Sequence, residues 1–358
     1  MSDELQERLS RLPGYTIERE LGGGGMSRVF LGHETALNRR VAIKVLEAQG
    51  ARVDAERFRQ EVLLAARLNH PHIVPLLTAG EVDGAPYYIM PYVDGSSLRG
   101  RLREGAQPIG ESIRLLRNVM SALACAHANG VIHRDIKPDN VMVTGGVAVV
   151  LDFGVSKALA LSSATSRDGI TGAGLALGTP RYMAPEQVVA DPEIDGRADL
   201  YAWGVMGYEM LTGQTPFGGN DPVMILRAHL TTEAAPISTA RRDVPPGIAA
   251  LIMRCLEKDR TRRPASAGEV LDLLDAMGTP SGMRVGMKGG VHRWEGARSA
   301  LVPAAVYLMA CAITIAGLQW LQSQGQIGMR MMVMAVVISL LGLPVVVGIG
   351  LVRGIREG

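Results

Sequence analysis

The hydrophobic and polar positions change period along the chain, from strand-like alternation to helical spacing, and this predicts a small β-rich part followed by a larger helical one. Tyr15-Thr16-Ile17 begins a strand that runs into the glycine-rich segment Leu21-Gly22-Gly23-Gly24-Gly25-Met26-Ser27-Arg28-Val29-Phe30, read as a turn between two strands. Val41-Ala42-Ile43-Lys44 alternates and is β-branched, so it predicts a strand. Residues 55–68 carry apolar Phe58, Val62, Ala65 and Ala66 at helical spacing, and Asn69-His70-Pro71-His72-Ile73-Val74 turns out of that helix towards the next strand. Tyr87-Tyr88-Ile89-Met90 reads as a strand and Pro91-Tyr92-Val93-Asp94-Gly95 as a link. A long helix over 111–128 presents Ile113, Leu116, Met120, Leu123 and Ala124 on one face and stops at Asn129-Gly130. Strands over 141–143 and 147–151 flank Gly145-Gly146 as a hairpin. Periodicity then lapses over 155–177, rich in Ser, Thr, Gly and Ala, which predicts a mobile segment. An apolar helix follows over 199–212.

Near the end stand two stretches without formal charge, 301–321 and 331–352. Each has the length of ~20 residues that a bilayer-spanning helix needs, and both lack the polar face of a soluble helix. Pro303 sits at a helix start, and Pro344 predicts a kink in the second span. The 322–330 connection is too short to fold as a sensor. Basic residues precede the first span (Arg284, Lys288, Arg293, Arg298) and follow the second (Arg353, Arg356), against Arg330 alone between them, so both termini are expected in the cytoplasm of a two-span inner or plasma membrane protein. Ala312 and Ala316 allow close helix packing and hint at a homodimer.

The chain has 358 residues, too long for one ordinary compact domain, and a formal net charge of +2. That balance gives no reason to expect nucleic acid as partner. From Gly278 onward seven basic residues face two acidic ones, so the basic excess lies beside the apolar tail. Cys125, Cys255 and Cys311 are far apart, which supports neither a disulfide framework nor a zinc site and fits a reducing compartment. The charged residues 1–11 contain no apolar core of a signal peptide. His70 and His72 lack a third ligand at suitable spacing and read as turn residues.

The chemistry concentrates in His133-Arg134-Asp135-Ile136-Lys137-Pro138-Asp139-Asn140 and, further on, Asp152-Phe153-Gly154. An Asp on a tight loop can accept a hydroxyl proton, a Lys two positions later can neutralise a transferring phosphate, and an Asn with a second Asp can hold magnesium between phosphates. These residues resemble the protein kinase family of eukaryotic (Hanks) type in its bacterial branch, and Lys137 resembles the Ser/Thr-directed version. The resemblance covers residues 15–277, and Ala184-Pro185-Glu186 matches its A-P-E element.

The resemblance implies an α+β, bilobal kinase fold with a small lobe over 15–90 and a large lobe over 94–277, preceded by a lead over 1–14. A basic linker over 278–300, the transmembrane hairpin and a tail over 353–358 come after it. It implies Asp135 as the base, Lys137 as the γ-phosphate screen, Lys44 on the α- and β-phosphates paired with Glu61, and Asn140 and Asp152 as Mg2+ ligands, with Mn2+ as an alternative. It also implies an ATP site made by Leu21, Gly22, Gly23, Gly24, Gly25, Met26, Ser27, Val29, Ala42, Met90, Pro91 and Val93; Ser27 stands where the family has a third glycine, and Pro91 offers only its carbonyl. Thr171 is the first candidate for loop phosphorylation, followed by Thr165, Ser166 and Ser163, with Arg134 to pair the phosphate. Thr179 is expected on Asp135 and Lys137, Asp199 on the catalytic-loop backbone and Arg263 on Glu186. The implied function is a membrane-anchored kinase acting on protein Ser/Thr hydroxyls in signalling; the competing reading is a pseudokinase-like membrane scaffold.

Overall fold

The computed structural model describes residues 2–24, 27–46, 55–153 and 180–278. Ser2–Leu9 forms helix α1. A five-stranded antiparallel sheet follows, of β1 (Tyr15–Gly24), β2 (Ser27–Glu34), β3 (Arg39–Leu46), β4 (Thr78–Val82) and β5 (Ala85–Pro91), in the order β1-β2-β3-β5-β4. Helix α2 (Ala55–Ala65) lies between β3 and β4 in the chain. Strand alternation sorts β3 onto two faces. Val41, Ile43 and Val45 pack with Phe30, Ile89 and the α1 side chains Leu5 and Leu9, while Ala42 and Leu46 pack with Phe58 of α2, Tyr88 and Met90. The residues before Tyr15 are therefore more than a lead, since Leu5, Leu9 and Leu12 close one face of the sheet.

The chain leaves β5 through 92–95, where the Tyr92 amide donates to the Arg40 carbonyl (3.3 Å) and Arg40 pairs with Asp94 (3.1 Å). At Gly95 a side chain is sterically barred, because a Cβ there would stand 2.5 Å from the Val143 carbonyl oxygen. β6 (Ser96–Ser97), β7 (Val141–Thr144) and β8 (Val147–Val150) form a second, three-stranded sheet. Ser97 caps α3 (Leu98–Leu102) by accepting from the Gly100 amide.

The large lobe is helical: α4 (Ile109–Ala128), α5 (Pro185–Val188), α6 (Arg197–Thr212), α7 (Pro222–Thr231), α8 (Ile237–Ala240), α9 (Pro246–Cys255) and α10 (Ala267–Gly278). Leu116, Met120 and Leu123 of α4 are buried as the periodicity predicts, and the seam continues through Leu115, Val119 and Ala126. Helix α6 is buried almost all round, which makes it the axis of this lobe. Its Trp203 indole donates to the Leu116 carbonyl (3.0 Å), so the buried polar atom is satisfied.

The expected spans, linker and tail lie outside the described residues, from 279 onward, as do Gly25, Met26 and the activation-segment candidates Ser163, Thr165, Ser166, Thr171 and Thr179. Among the described residues no helix is long and apolar enough to cross a membrane.

Candidate active site

Asp199, fully buried at the first turn of α6, organises the loop between α4 and β7. It accepts from the amides of His133 (2.8 Å) and Arg134 (2.7 Å) and from His127 Nε2 (2.8 Å). Burial alone would raise the Asp199 carboxyl, but the bond and charge of His127, followed by His133, outweigh it and hold the group below the ordinary aspartate value. Arg134 sits at φ +64°, a left-handed conformation that a non-glycine residue keeps only when its surroundings demand it. The two amide bonds to Asp199 meet that demand, and Gln187 of α5 adds a bond to the Arg134 carbonyl (2.8 Å).

The loop presents Asp135 between two side chains. Lys137 Nζ donates to Asp135 Oδ2 (2.8 Å), and Asn140 Nδ2 donates both to Oδ2 (3.1 Å) and to the Asp135 carbonyl (2.8 Å). Asn140 closes the 3-10 turn Pro138–Asn140, and its carbonyl accepts from the Leu151 amide (2.9 Å) at the end of the β7-β8 hairpin. His133 Nε2 bonds the Leu151 carbonyl (2.8 Å), while its Nδ1 accepts from the Asp135 amide (3.2 Å). Its ring meets Phe153 edge-on, with centroids 4.7 Å apart. Both ends of the hairpin are thus tied to the loop, which brings Asp152 beside Asn140.

Asp152 itself stands at φ +59°. Lys44 Nζ donates to its Oδ2 (2.6 Å) and the Tyr88 hydroxyl to its Oδ1 (2.7 Å). Burial pushes this carboxyl up, and Lys44 followed by Tyr88 and His133 reverses the shift, so the group stays ionised. The expected partner of Lys44 is different: Glu61, half-buried on α2, forms no described bond with the ammonium, which is on Asp152 instead. A carboxylate buried against the sheet needs a countercharge more than one that water can reach, so Asp152 takes it.

Leu21, Gly22, Gly23 and Gly24 end β1, and Ser27 and Val29 open β2. Gly22 pairs with Val29 and Gly23 with Arg28. A Cβ on Gly23 would come within 2.8 Å of the Ser27 carbonyl oxygen, so the two strands close here only because that position has no side chain. Ala42 and Met90 are cross-strand partners on the face towards α2, Pro91 ends β5 and Val93 is half-buried in the link.

For a divalent cation the donors fit: the Asp152 carboxylate and the amide oxygen of Asn140, whose described side-chain bonds use only its nitrogen, are hard oxygen ligands of the kind Mg2+ takes. No group of three or more His, Cys, Asp or Glu converges among the described residues, so phosphate and water would supply the remaining positions.

Arg263 donates to both oxygens of Glu186 (2.6 and 2.9 Å), the pair implied by the resemblance. Two features have no counterpart among the sequence-based expectations. Tyr88 is one; it lies two residues before Met90 on a strand, hence on the same face, a relation alternation alone contains. Arg99 is the other. It pairs with Glu209 (2.8 Å) and Asp139 (3.3 Å) and touches the Tyr182 hydroxyl, which also bonds Glu209, a cluster that long-range packing alone assembles.

The family described as Protein kinase domain matches residues 15–273. The serine/threonine-protein kinase pkn2 of Myxococcus xanthus is 39% identical over 272 residues, covering 73% of this chain and 32% of that protein. The serine/threonine-protein kinase PknB of Mycobacterium leprae is 38% identical over 264 residues, 72% of this chain and 42% of its own length. The chain thus spans less than half the length of these relatives. Among solved structures, the PknI kinase domain of Mycobacterium tuberculosis superposes with a TM-score of 0.57 at 28% identity, covering 74% of this chain and 96% of that one. With the bilobal architecture and the bonded Asp135, Lys137, Asn140 and Asp152 in place, the chain belongs to the protein kinase family, among its bacterial members of Ser/Thr type.

Proposed function

We propose that this protein is a membrane-anchored serine/threonine protein kinase that transfers the γ-phosphoryl group of ATP to hydroxyls of protein substrates. The observation that carries the reading is the hydrogen-bonded set Asp135, Lys137 and Asn140, tied through Leu151 to the Asp152 that Lys44 holds. In the reaction, Asp135 accepts the proton of the acceptor hydroxyl as its oxygen bonds to the γ-phosphorus. The bond from that phosphorus to the β-γ bridging oxygen breaks, and ADP leaves with the electron pair. Lys137 stands beside Asp135 to offset charge on the transferring group, and Lys44 leaves Asp152 for the α- and β-phosphates. Mg2+, held by Asn140 and Asp152, would neutralise the phosphates.

The names of the relatives support Ser/Thr as acceptors. Anchoring rests on the uncharged stretches 301–321 and 331–352, with the kinase domain and both termini in the cytoplasm and self-association through the spans. Autophosphorylation at Thr171, ordered through Arg134, completes the reading as a signalling enzyme.

The test is incorporation of label from ATP into the protein and into a basic test protein, for the wild type and Asp135→Asn. Loss of incorporation with nucleotide binding kept supports the assignment, and undiminished labelling of the variant removes Asp135 as the base.

A further inference from the structure

We propose that the cavity beside the Asp135 loop selects protein substrates with an acidic side chain near the acceptor hydroxyl, and that Arg181 is the residue that reads it. The inference rests on the kinase reading above and narrows the substrates which that reading leaves open.

The cavity measures about 880 Å3 and lies wholly in the helical lobe. Asp139 forms part of its wall and adjoins Asn140, whose amide nitrogen bonds Asp135 (3.1 Å). Residues that flank a hydroxyl held at Asp135 therefore have the cavity within reach, since an extended chain advances ~3.3 Å per residue. Its other charged walls are Arg99 of α3, Glu209 of α6 and Arg181 of the 3-10 turn Pro180–Tyr182.

These charges are not equally available. Glu209 is buried and both its oxygens are taken, Oε1 by Arg99 (2.8 Å) and Oε2 by the Tyr182 hydroxyl. Arg99 is committed as well, with Nε on Asp139 (3.3 Å) and its remaining nitrogen against the Tyr182 hydroxyl. A basic side chain reaches the Glu209 carboxylate only by breaking this network, and Asp139 is exposed, where water screens its charge. Arg181 differs. It is half-buried, its described bond runs from one terminal nitrogen to the Gly219 carbonyl (2.8 Å), and no carboxylate pairs with it among the described residues. A guanidinium has several N–H donors in one plane, so one bond to a neutral carbonyl leaves its charge and further donors for an incoming carboxylate. The neighbouring Tyr182, buried and bonded to Glu209, holds the turn that carries it.

The experiment supplies the full chain with ATP, Mg2+ and a series of Thr peptides bearing Glu, Ala or Lys at each position flanking the acceptor, for wild type, Arg181→Gln and Arg181→Glu. At one or more positions the wild type should favour Glu over Ala by on the order of tenfold in kcat/KM, the weight of one charge-assisted hydrogen bond, and the gain should lie in KM. The preference should vanish in Arg181→Gln and turn towards Lys in Arg181→Glu. A ratio between peptides is read within each protein, so a variant of lower turnover still reports; a purely structural role would lower kcat for every peptide and leave the ratios intact. A wild type without a Glu preference, a preference for Lys, or a Glu preference that survives both substitutions overturns the proposal. Label in the chain itself but in none of the Glu peptides overturns it too. A wild type that labels neither itself nor any peptide overturns the kinase reading instead.

Discussion

Arg263 sets its two terminal nitrogens on the two oxygens of Glu186, at 2.6 and 2.9 Å, across 77 residues of sequence. The guanidinium is almost wholly buried and also donates to the carbonyls of Arg197 (3.0 Å), Glu257 (2.8 Å) and Lys258 (3.1 Å). One side chain thereby joins α5, the start of α6 and the segment after α9. Arg263→Met leaves the Glu186 carboxylate and three carbonyls without their donor inside the lobe. The expected loss is about 3–5 kcal/mol by urea denaturation, the range for breaking one partner from a buried pair. The double variant Glu186→Leu/Arg263→Met removes the stranded charge and should recover part of it. A single-variant loss below about 1 kcal/mol would mean the pair orders the fold without stabilising it.

His229 carries a pH dependence of its own. It is fully buried in α7, its Nδ1 lies 2.9 Å from the Tyr201 hydroxyl, and its ring meets Phe217 edge-on. Burial, with the Lys258 ammonium as the second cause, lowers its pKa to about 4. An unfolded histidine titrates near 6.5, so between about 6.5 and 4 the unfolded chain binds the proton and the folded chain does not. Stability therefore falls as pH drops through that window, by ~3 kcal/mol over its full width. Asp152 and Asp199 lie below the ordinary carboxylate range, so their contribution is intact above about 4 and does not blur the reading. Lys258, lowered to about 8, titrates above the window. Denaturation of wild type and His229→Gln from pH 7 to 4.5 should show a shallower slope in the variant; parallel slopes would assign the acid loss to other groups.

Much of this architecture is legible in the residues because the signals are local. Alternation marks β3, helical spacing marks α4, and the loop from His133 to Asn140 brings its own chemistry within eight positions. Asp199 and Arg263 could be assigned only through the family resemblance, since nothing near them in sequence says what they touch. Local signals stop at register and countercharge. That Lys44 faces Tyr88 depends on how β3 pairs with β5, and that its ammonium sits on Asp152 rather than Glu61 depends on which carboxylate the fold buries deeper. Helix α1 escaped the pattern for another reason: six of its eight residues are polar or charged, and Leu5 and Leu9 acquire meaning only when a sheet face needs covering.

Lys44→Met tests the countercharge argument by stability rather than by activity. The wild-type pair places an ammonium and a carboxylate, each about nine-tenths buried, 2.6 Å apart. Methionine keeps much of the length and apolar volume of the lysine stem, so packing of the stem beside its cross-strand partner Tyr88 changes little. What remains is a buried Asp152 with the Tyr88 hydroxyl as its nearest described donor and burial raising its pKa without the opposing ammonium. At pH 7 the variant should be less stable by about 3 kcal/mol, the low end for stranding one member of a buried pair. In the wild type the depressed carboxyl contributes stability that is fully present above about 3.9 and is lost as pH falls through the folded value. In the variant the raised carboxyl takes up a proton on folding and so penalises the folded state only above that same value. The variant's trend alone acts between neutrality and about 4, and it shrinks the difference as pH falls. Thermal melts of the two proteins between pH 7 and 4.5 should therefore converge, and a gap that stays constant would place the loss in packing rather than in charge.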